Sequence, residues 1–382
     1  MKRIKRHKYI EDLNQLAQSI AKIHPDPYKY ISGSRFNEDL LSIGKDIDIS
    51  LSRFGISIMI SLAKLKDLHT TLCFSEEVLS QLSYPLVLKR FPDGYYLTES
   101  LKKNRELLGT KLLKVNGMGV QEVETRFSVL IPNENSTSLK YYFPNKLREP
   151  KLLEYFGIVE DDLCSFTFDL DGNEKTIKLK SVKYDVELIS LNEFVAEPQE
   201  TLTVKDKYWT KYYDYCATFY FQYNSCEEND YPTVFDVIKE ISELKPRNVI
   251  VDLRNNKGGD SDILEPLIEY LETMSAEIRT IIFIGPDTYS SAIINLLSLN
   301  KIKNSISIGG IPHGSPTHFG ETDKFTLKNT GLTIQTSTKI FEYKGYDHGD
   351  VFIPTYEARQ TIDDYKRGLD LEMALFKKLF IK

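Results

Sequence analysis

Two short segments of the chain combine glycines or serines with the start of a helix, an arrangement that catalytic turns use. The first reads VDLRNNKGGD from Val251 to Asp260 and lies between an apolar run and a helical stripe. Its adjacent Gly258 and Gly259 allow a sharp turn and present backbone N–H groups toward a ligand. Fixed donors of this kind stabilise a developing oxyanion. The alternative is a plain strand-to-helix turn, for which one glycine is enough.

The second segment reads GPDTYSSA from Gly285 to Ala292 and also follows an apolar run. Ser290 lies where a helix begins, and the dipole and N–H groups of a helix N-terminus favour an alkoxide and its oxyanion. Serine is also a common N-cap, and for a single serine capping is the more frequent role. The local pattern therefore leaves two roles open for Ser290, a nucleophile and a cap.

Other catalytic and metal-binding motifs are missing from the sequence. It has no GxxxxGK[ST] phosphate loop and no HExxH zinc helix. The run 169–173 imitates the start of a calcium loop, but Glu174 and Lys180 stand where that loop needs Gly and Glu, so we interpret it as a hairpin turn. The histidines and cysteines lack metal-ligand spacing. The sequence therefore predicts neither a metal nor a cofactor.

Composition narrows the class of protein. The 382 residues carry 49 Lys+Arg and 55 Asp+Glu, a net charge of -6, so there is no basic excess for nucleic-acid binding. A hydrophobic fraction of 41% with 27% charged residues is typical of a soluble globular protein. The 4 cysteines form no CxxC pair, and we interpret them as free thiols.

The N-terminal region carries no export signal in its pattern. A basic start is followed at 8–23 by a polar amphipathic stripe instead of an apolar run. This predicts no signal peptide and no membrane span, hence a cytoplasmic protein. The alternative, an exported protein whose signal peptide has been trimmed, stays open.

The pattern of apolar and turn residues changes at two points along the chain. Residues 1–71 show helical spacing, interrupted by prolines at 24–28. Residues 72–187 show short β-type runs separated by turn signals such as Asn116-Gly117, and we interpret them as a small β-rich domain. Residues 188–382 alternate strands with helices, which predicts a layered α/β domain.

The α/β stretch has well-marked elements. The predicted strands are Tyr213–Tyr223, Asn248–Leu253, Ile278–Ile284 and Ile306–Ile308. The predicted helices are 234–244, one capped by Ser261 that runs to about Thr273, and Ser290–Asn300. Asn248–Leu253 is a continuous apolar strand, as is expected when both faces of a parallel sheet are covered, and Tyr213–Tyr223 is rich in aromatic residues.

Taken in this order, the two segments resemble motifs of the C-terminal processing (tail-specific) peptidases, a serine peptidase family that includes the tricorn core. The family pattern is D-L-R-x-N-x-G-G followed by T-x-S-x-A, matched here by Asp252–Gly259 and Thr288–Ala292. Leu108–Gly117 resembles a strand and turn of a PDZ-like module. The resemblance implies a crotonase-like (ClpP-like) α/β core, an N-terminal helical region and a PDZ-like domain.

The resemblance also implies roles for individual residues. Ser290 is the expected nucleophile, and the backbone N–H groups of Gly258, Gly259 and Ser291 are the expected oxyanion donors. Many family members use a lysine 25 residues beyond the serine as the base, but that position holds Ser315. A hydroxyl cannot deprotonate another hydroxyl near neutral pH.

A histidine offers another base. Asp67-Leu68-His69-Thr70 resembles the D-G-H-T of tricorn-like members, with Leu68 in place of the glycine. Since histidine titrates near neutral pH, His69 is a reasonable general base. The alternative is a helix-end histidine that hydrogen bonds backbone carbonyls.

Further residues of the expected cleft come from the resemblance alone. His318 and Glu321 resemble a motif of the bacterial subgroup and are expected to line the cleft or orient a substrate; the alternative is a turn before a hairpin at 325–343. Asp347 and Asp350 lie where tricorn-like members carry an acidic orienter. Thr355 replaces the aspartate of the usual P-D pair.

The sequence thus predicts a serine peptidase that cleaves peptide or protein substrates through an acyl-enzyme on Ser290, with His69 as base. The alternative is a catalytically inactive family member that binds peptides or lipophilic ligands. Substrate specificity and oligomeric state are not indicated by any pattern in the chain.

Overall fold

The computed structural model describes residues 6–45, 49–195, 199–343 and 349–381. They form two compact units. The described residues of the first unit come from 1–134, 138–193 and 318–341, and those of the second from 135–137, 194–317 and 342–382. The division of the sequence into 1–71, 72–187 and 188–382 stays a prediction.

The α-helices alternate with strands along most of the chain. They are α1 Arg6–Ile23, α2 Gly33–Ile43, α3 Leu51–Ala63, α4 Glu76–Leu79, α5 Val120–Phe127, α6 Ser138–Lys146, α7 Pro150–Tyr155, α8 Val234–Leu244, α9 Glu265–Thr273, α10 Ser291–Leu299, α11 Ile362–Lys366 and α12 Leu371–Phe380. Short 3₁₀ helices lie at Lys102–Leu107, Ser128–Leu130, Leu191–Phe194, Glu200–Leu202, Asp214–Cys216 and Ser261–Leu264.

The strands in the described ranges form four sheets. They are β1 Thr71–Leu72, β2 Leu82–Ser83, β3 Leu86–Phe91, β4 Gly94–Ser100, β5 Lys111–Val115, β6 Met118–Gly119, β7 Leu163–Leu170, β8 Asn173–Lys180, β9 Val182–Lys183, β10 Ile189–Ser190, β11 Tyr208–Tyr213, β12 Thr218–Tyr223, β13 Asn248–Asp252, β14 Arg279–Ile284, β15 Ile306–Gly309, β16 His318–Thr326, β17 Thr333–Phe341 and β18 Tyr356–Glu357.

The first unit packs the N-terminal helices and three sheets around one core. Its 7-stranded antiparallel sheet has the order β10-β4-β5-β7-β8, with β3 on β4 and β6 on β5. β2 pairs with β9, and β1 joins the hairpin β16–β17 in a 3-stranded sheet. Buried side chains of α1, α3, β4 and β7 belong to a single hydrophobic cluster, which Leu13, Phe54, Leu97 and Phe166 exemplify.

Tight turns close two hairpins of the first unit. Asn116 and Gly117 have φ values of 48° and 82°, and Asp171 and Gly172 have 52° and 83°. Consecutive positive φ values define the turn that matches the twist of a two-residue hairpin. The run that imitates a calcium loop is therefore the β7–β8 turn, as interpreted from the sequence.

The second unit is built on a 6-stranded sheet with the order β11-β12-β13-β14-β15-β18. The strands β12, β13, β14, β15 and β18 run parallel to one another, and β11 pairs antiparallel with β12. Helices α8, α9 and α10 cover one face through residues such as Val237, Leu267 and Leu296. Met373 and Phe376 of α12 pack on the other. Coverage of both faces explains the buried, mainly apolar sequences of β13 and β14.

Two details of this unit differ from the sequence prediction. Tyr213–Tyr223 is not one strand: Ala217 adopts a left-handed conformation with φ 46°, and the chain reverses between β11 and β12. The helix expected to begin at Ser261 is capped by Asp260, whose side chain accepts from the Asp262 N–H. It opens as a 3₁₀ turn and continues as α9.

No helix in the described part of the chain is both long and apolar enough to cross a membrane.

Candidate active site

The predicted nucleophile and oxyanion donors lie at the carboxyl edge of the parallel sheet. The glycine loop, residues 253–260, follows β13, and the serine turn, residues 285–290, follows the neighbouring β14. Carboxyl ends of adjacent parallel strands meet at one edge, where open α/β sheets bind their ligands. The topology therefore brings the two sequence motifs together.

Hydrogen bonds tie the serine turn to the glycine loop. The buried Thr288 donates its hydroxyl to the Leu253 carbonyl at 2.8 Å and accepts the Gly285 N–H at 3.1 Å. One position further, the Tyr289 N–H donates to the Asn256 carbonyl at 3.0 Å. The turn is thus fixed on both sides of Thr288, directly before Ser290.

Ser290 has an unusual backbone conformation, with φ 54° and ψ −126°. Such a conformation is costly for a residue with a Cβ, and it persists only when the surroundings enforce it. The Ser290 side chain makes no capping hydrogen bond to the described first turn of α10, so the N-cap role is not the one observed. A serine on a strained turn between strand and helix is the geometry of a nucleophile elbow.

Gly258 lies directly against Ser290. A Cβ added to Gly258, whose φ is 103°, would lie 2.8 Å from the Ser290 Cβ and 3.1 Å from the Ser291 nitrogen. Any side chain at this position would therefore displace the serine turn. Gly259, with φ 135°, is as constrained, because an added Cβ would overlap the Cys226 carbonyl. Both glycines are required here, which a plain turn would not demand.

The backbone N–H groups of the site differ in whether they already donate a hydrogen bond. The Gly258 N–H donates to the Asn256 side chain at 2.9 Å. Within the part of the chain that the structure describes, the Gly259 and Ser291 N–H groups have no acceptor. The Ser291 hydroxyl donates to the Gly259 carbonyl at 2.6 Å and holds the two residues together. The geometry therefore favours Gly259 and Ser291 as oxyanion donors, with Gly258 as a spacer.

Asn256 organises the glycine loop, although the sequence reasoning gave it no role. Its buried amide donates to the Tyr223 carbonyl at 2.9 Å, and its Oδ1 accepts from the Gly258 N–H. The thiol of Cys226 also lies 3.4 Å from that oxygen. The sequence did contain a signal for this role, because Asn256 is the asparagine of the D-L-R-x-N-x-G-G pattern.

Arg254 anchors the start of the loop through a buried charge cluster. Its guanidinium lies 2.6 Å from Asp252, 3.0 Å from Asp370 and 3.0 Å from Glu372. Burial works against the charge, but the three carboxylates raise the pKa of Arg254 well above its usual range. One cation cannot neutralise three carboxylates: burial, with repulsion from Asp370 and Asp252, raises the pKa of Glu372 to about 7.

The segment where the family lysine was expected also contacts the serine turn. The His313 N–H donates to the Pro286 carbonyl at 3.3 Å, and its ring stacks on Tyr289 with centroids 4.6 Å apart. Ser315 is buried. The position of the lysine is therefore part of the second unit's interior, but it carries a hydroxyl.

His69 belongs to the first unit, in a tight loop between α3 and β1. The backbone N–H of His69 donates to Asp67 Oδ1 at 2.8 Å, while one of its ring nitrogens donates to the Phe319 carbonyl. Burial lowers the pKa of His69 and outweighs the opposing effects of Asp67 and of that hydrogen bond. The alternative role from the sequence, a histidine bonded to a backbone carbonyl, is thus observed for one of its two nitrogens.

The other predicted residues are distributed over both units. In the first unit, His318 is buried, with its ring between those of His69 and Phe341 at 6.1 and 5.4 Å, whereas Glu321 is exposed and pairs with Lys339. In the second unit, Asp350 is exposed. Asp347 lies outside the described residues.

Comparisons with known proteins support the fold. No family model and no curated protein matches the chain. Mature CPAF is similar in structure, with a TM-score of 0.65 and 12% identity over 95% of this chain and 94% of that one. A CPAF mutant gives 0.66 and 12% over 98% and 97%. The photosystem II D1 C-terminal processing protease gives 0.45 and 13% over 96% and 97%. The chain therefore has the fold of CPAF, which confirms the mixed α/β fold with a PDZ-like region that the sequence motifs implied.

Proposed function

We propose that the chain is a serine peptidase that cleaves peptide or protein substrates through an acyl-enzyme on Ser290. One observation carries the proposal: Ser290 is held in a strained conformation at the start of α10, in contact with Gly258 and next to Ser291, whose hydroxyl holds Gly259. A cap needs neither the strain nor the double glycine. An acyl-transfer nucleophile uses both, because its oxygen must be exposed next to fixed oxyanion donors.

The proposed mechanism begins with proton transfer from the Ser290 hydroxyl to His69 as Oγ attacks the substrate carbonyl. The carbonyl oxygen becomes an oxyanion that accepts from the Gly259 and Ser291 N–H groups. Collapse of the tetrahedral intermediate expels the amine, which takes the proton back from His69. Water then attacks the ester with His69 again as base and releases the acid. The chemistry of imidazole supports His69 in this role, since Ser315 cannot act as a base.

The test is the rate of labelling by a fluorophosphonate, which forms a bond between phosphorus and an activated serine oxygen and releases fluoride. The wild type is compared with Ser290→Ala and His69→Ala. Ser298→Ala, in the helix that follows the serine turn, is the matched control. Thermal denaturation of each variant establishes that it is folded.

We expect the wild type and Ser298→Ala to be labelled, and both other variants to lose labelling. Loss in Ser290→Ala alone would retain the nucleophile and remove His69 from the mechanism. Equal labelling of Ser290→Ala and wild type would refute the proposal.

A second candidate function is peptide or lipophilic-ligand binding without catalysis. The serine at position 315, where many relatives carry their lysine base, favours it. Absence of labelling in a folded wild-type protein, together with saturable binding of a peptide library pool, would select this function.

A further inference from the structure

We propose that Asp67, His69 and Glu134 form a binding site for Zn²⁺ and that the bound ion blocks labelling of Ser290. The second half of this statement rests on the proposed function, in which His69 is the base. The first half concerns only the first unit, to which all three residues belong.

The three side chains offer one nitrogen and two carboxylate oxygens that lie within 4.8 Å of one another. His69 Nδ1 is 3.8 Å from Asp67 Oδ1, too long for a hydrogen bond. Ligand atoms on one tetrahedral zinc lie about 3.4 Å apart, given metal–ligand distances of roughly 2.1 Å. The His69–Asp67 spacing is close to that value, and a shift of at most about 1.4 Å brings the Glu134 carboxylate to it.

Neighbouring groups already orient each ligand. Asp67 accepts from the Ser337 hydroxyl at 2.7 Å and from Thr70, and His24 Nε2 lies 3.3 Å from it. The Leu68 N–H donates to the Glu134 carboxylate at 3.3 Å. The Phe319 carbonyl accepts from the His69 ring. Such outer contacts set ring orientation and carboxylate direction at metal centres.

The donor set favours zinc over Mg²⁺ and Ca²⁺. One imidazole with two carboxylates suits zinc, whereas Mg²⁺ and Ca²⁺ prefer sites made of oxygen atoms alone. A neutral imidazole has one lone pair, because its other nitrogen carries the proton. When zinc holds that lone pair, His69 cannot accept a proton from a serine. Occupation of the site and general-base catalysis by His69 therefore exclude one another.

The first measurement is zinc binding by competition with a chromophoric zinc indicator, independent of any activity. Wild type is compared with Glu134→Gln and His69→Ala, and with Glu106→Gln as a control for an exposed carboxylate of the same unit. We expect 1:1 binding by wild type and Glu106→Gln, and an affinity at least ~10-fold weaker in the other two. Mg²⁺ and Ca²⁺ should not displace the zinc.

The second measurement is the fluorophosphonate labelling rate with and without saturating zinc, each variant being compared with itself. We expect zinc to slow labelling of wild type and of Glu106→Gln, but not of Glu134→Gln at the same concentration. Equal zinc affinity in wild type and Glu134→Gln would overturn the site. If labelling needs His69 yet zinc does not bind, the site fails and the proposed function stands.

The converse result separates the two proposals. Specific binding of zinc that leaves the labelling rate unchanged would keep the site and overturn the block. Together with labelling that survives in His69→Ala, it would remove His69 from the mechanism.

Discussion

Replacing Gly258 by alanine tests whether the glycine loop positions the nucleophile. The new Cβ would lie 2.8 Å from the Ser290 Cβ, whereas ordinary van der Waals contact begins at 3.4 Å, so Ser290 must move by about 0.6 Å. A 1 Å misplacement of a catalytic group can cost roughly 10²-fold in rate. We therefore expect fluorophosphonate labelling to slow by at least ~10-fold, about 1.4 kcal/mol of activation free energy.

The same substitution also strains the backbone at position 258, and the resulting loss of unfolding free energy must be separated from the effect of displacing Ser290. An alanine at φ 103° is strained by about 1–3 kcal/mol. Gly117→Ala is the matched control, because Gly117 has φ 82° and nothing within 4 Å of an added Cβ. Gly117→Ala should lose unfolding free energy in urea through backbone strain alone and keep the wild-type labelling rate, whereas Gly258→Ala should lose at least as much unfolding free energy and be labelled more slowly. Labelling of Gly258→Ala at the wild-type rate would refute the placement of Gly258 against the nucleophile.

Three further predictions concern the residues around this loop. Asn256→Ala removes the hydrogen-bond partner of the Gly258 N–H and of the Tyr223 carbonyl. We therefore expect the free energy of unfolding in urea to fall by about 1–3 kcal/mol and fluorophosphonate labelling to slow, with Asn255→Ala as the near-neutral control. Arg254→Met leaves buried carboxylates without their cation and should cost about 3–5 kcal/mol, against less than ~0.5 kcal/mol for the exposed Lys257→Met. Because the pKa of Glu372 is raised to about 7, the folded state holds a proton that the unfolded state releases, and this stabilisation is lost as pH rises through about 7. Urea unfolding at a series of pH values should show that decline in wild type and a flatter profile in Glu372→Gln.

Local features of the second unit followed from the sequence. Continuous apolar runs predicted β13 and β14, and turn residues placed Ser290 at the start of a helix. The reason is physical: strand burial and turn conformation depend on residues that are adjacent in the chain. The exception is β11–β12, where the reversal depends on a left-handed Ala217, a conformation that alanine seldom adopts.

Long-range features did not follow from the sequence. Among 55 acidic residues, nothing local singles out Asp370 and Glu372 as partners of Arg254. Equally, the pairing of β17 with β1 joins segments more than 260 residues apart, and it places His318 in the same unit as His69. Such contacts are selected by packing of the whole unit. The pairing of His69 with Ser290 stays a prediction.

The buried charge cluster has a consequence for the order in which the protein is made. Asp370 and Glu372 follow Arg254 by 116 and 118 residues. At ribosomal rates of about 5–20 residues per second, the guanidinium precedes them by roughly 6–24 s. During that interval the glycine loop lacks two of the three carboxylates that anchor it, so a nascent chain carries Ser290 before the loop beside it is fixed. The loop beside Ser290 therefore gains its full set of anchoring carboxylates only after the start of α12 has been synthesised.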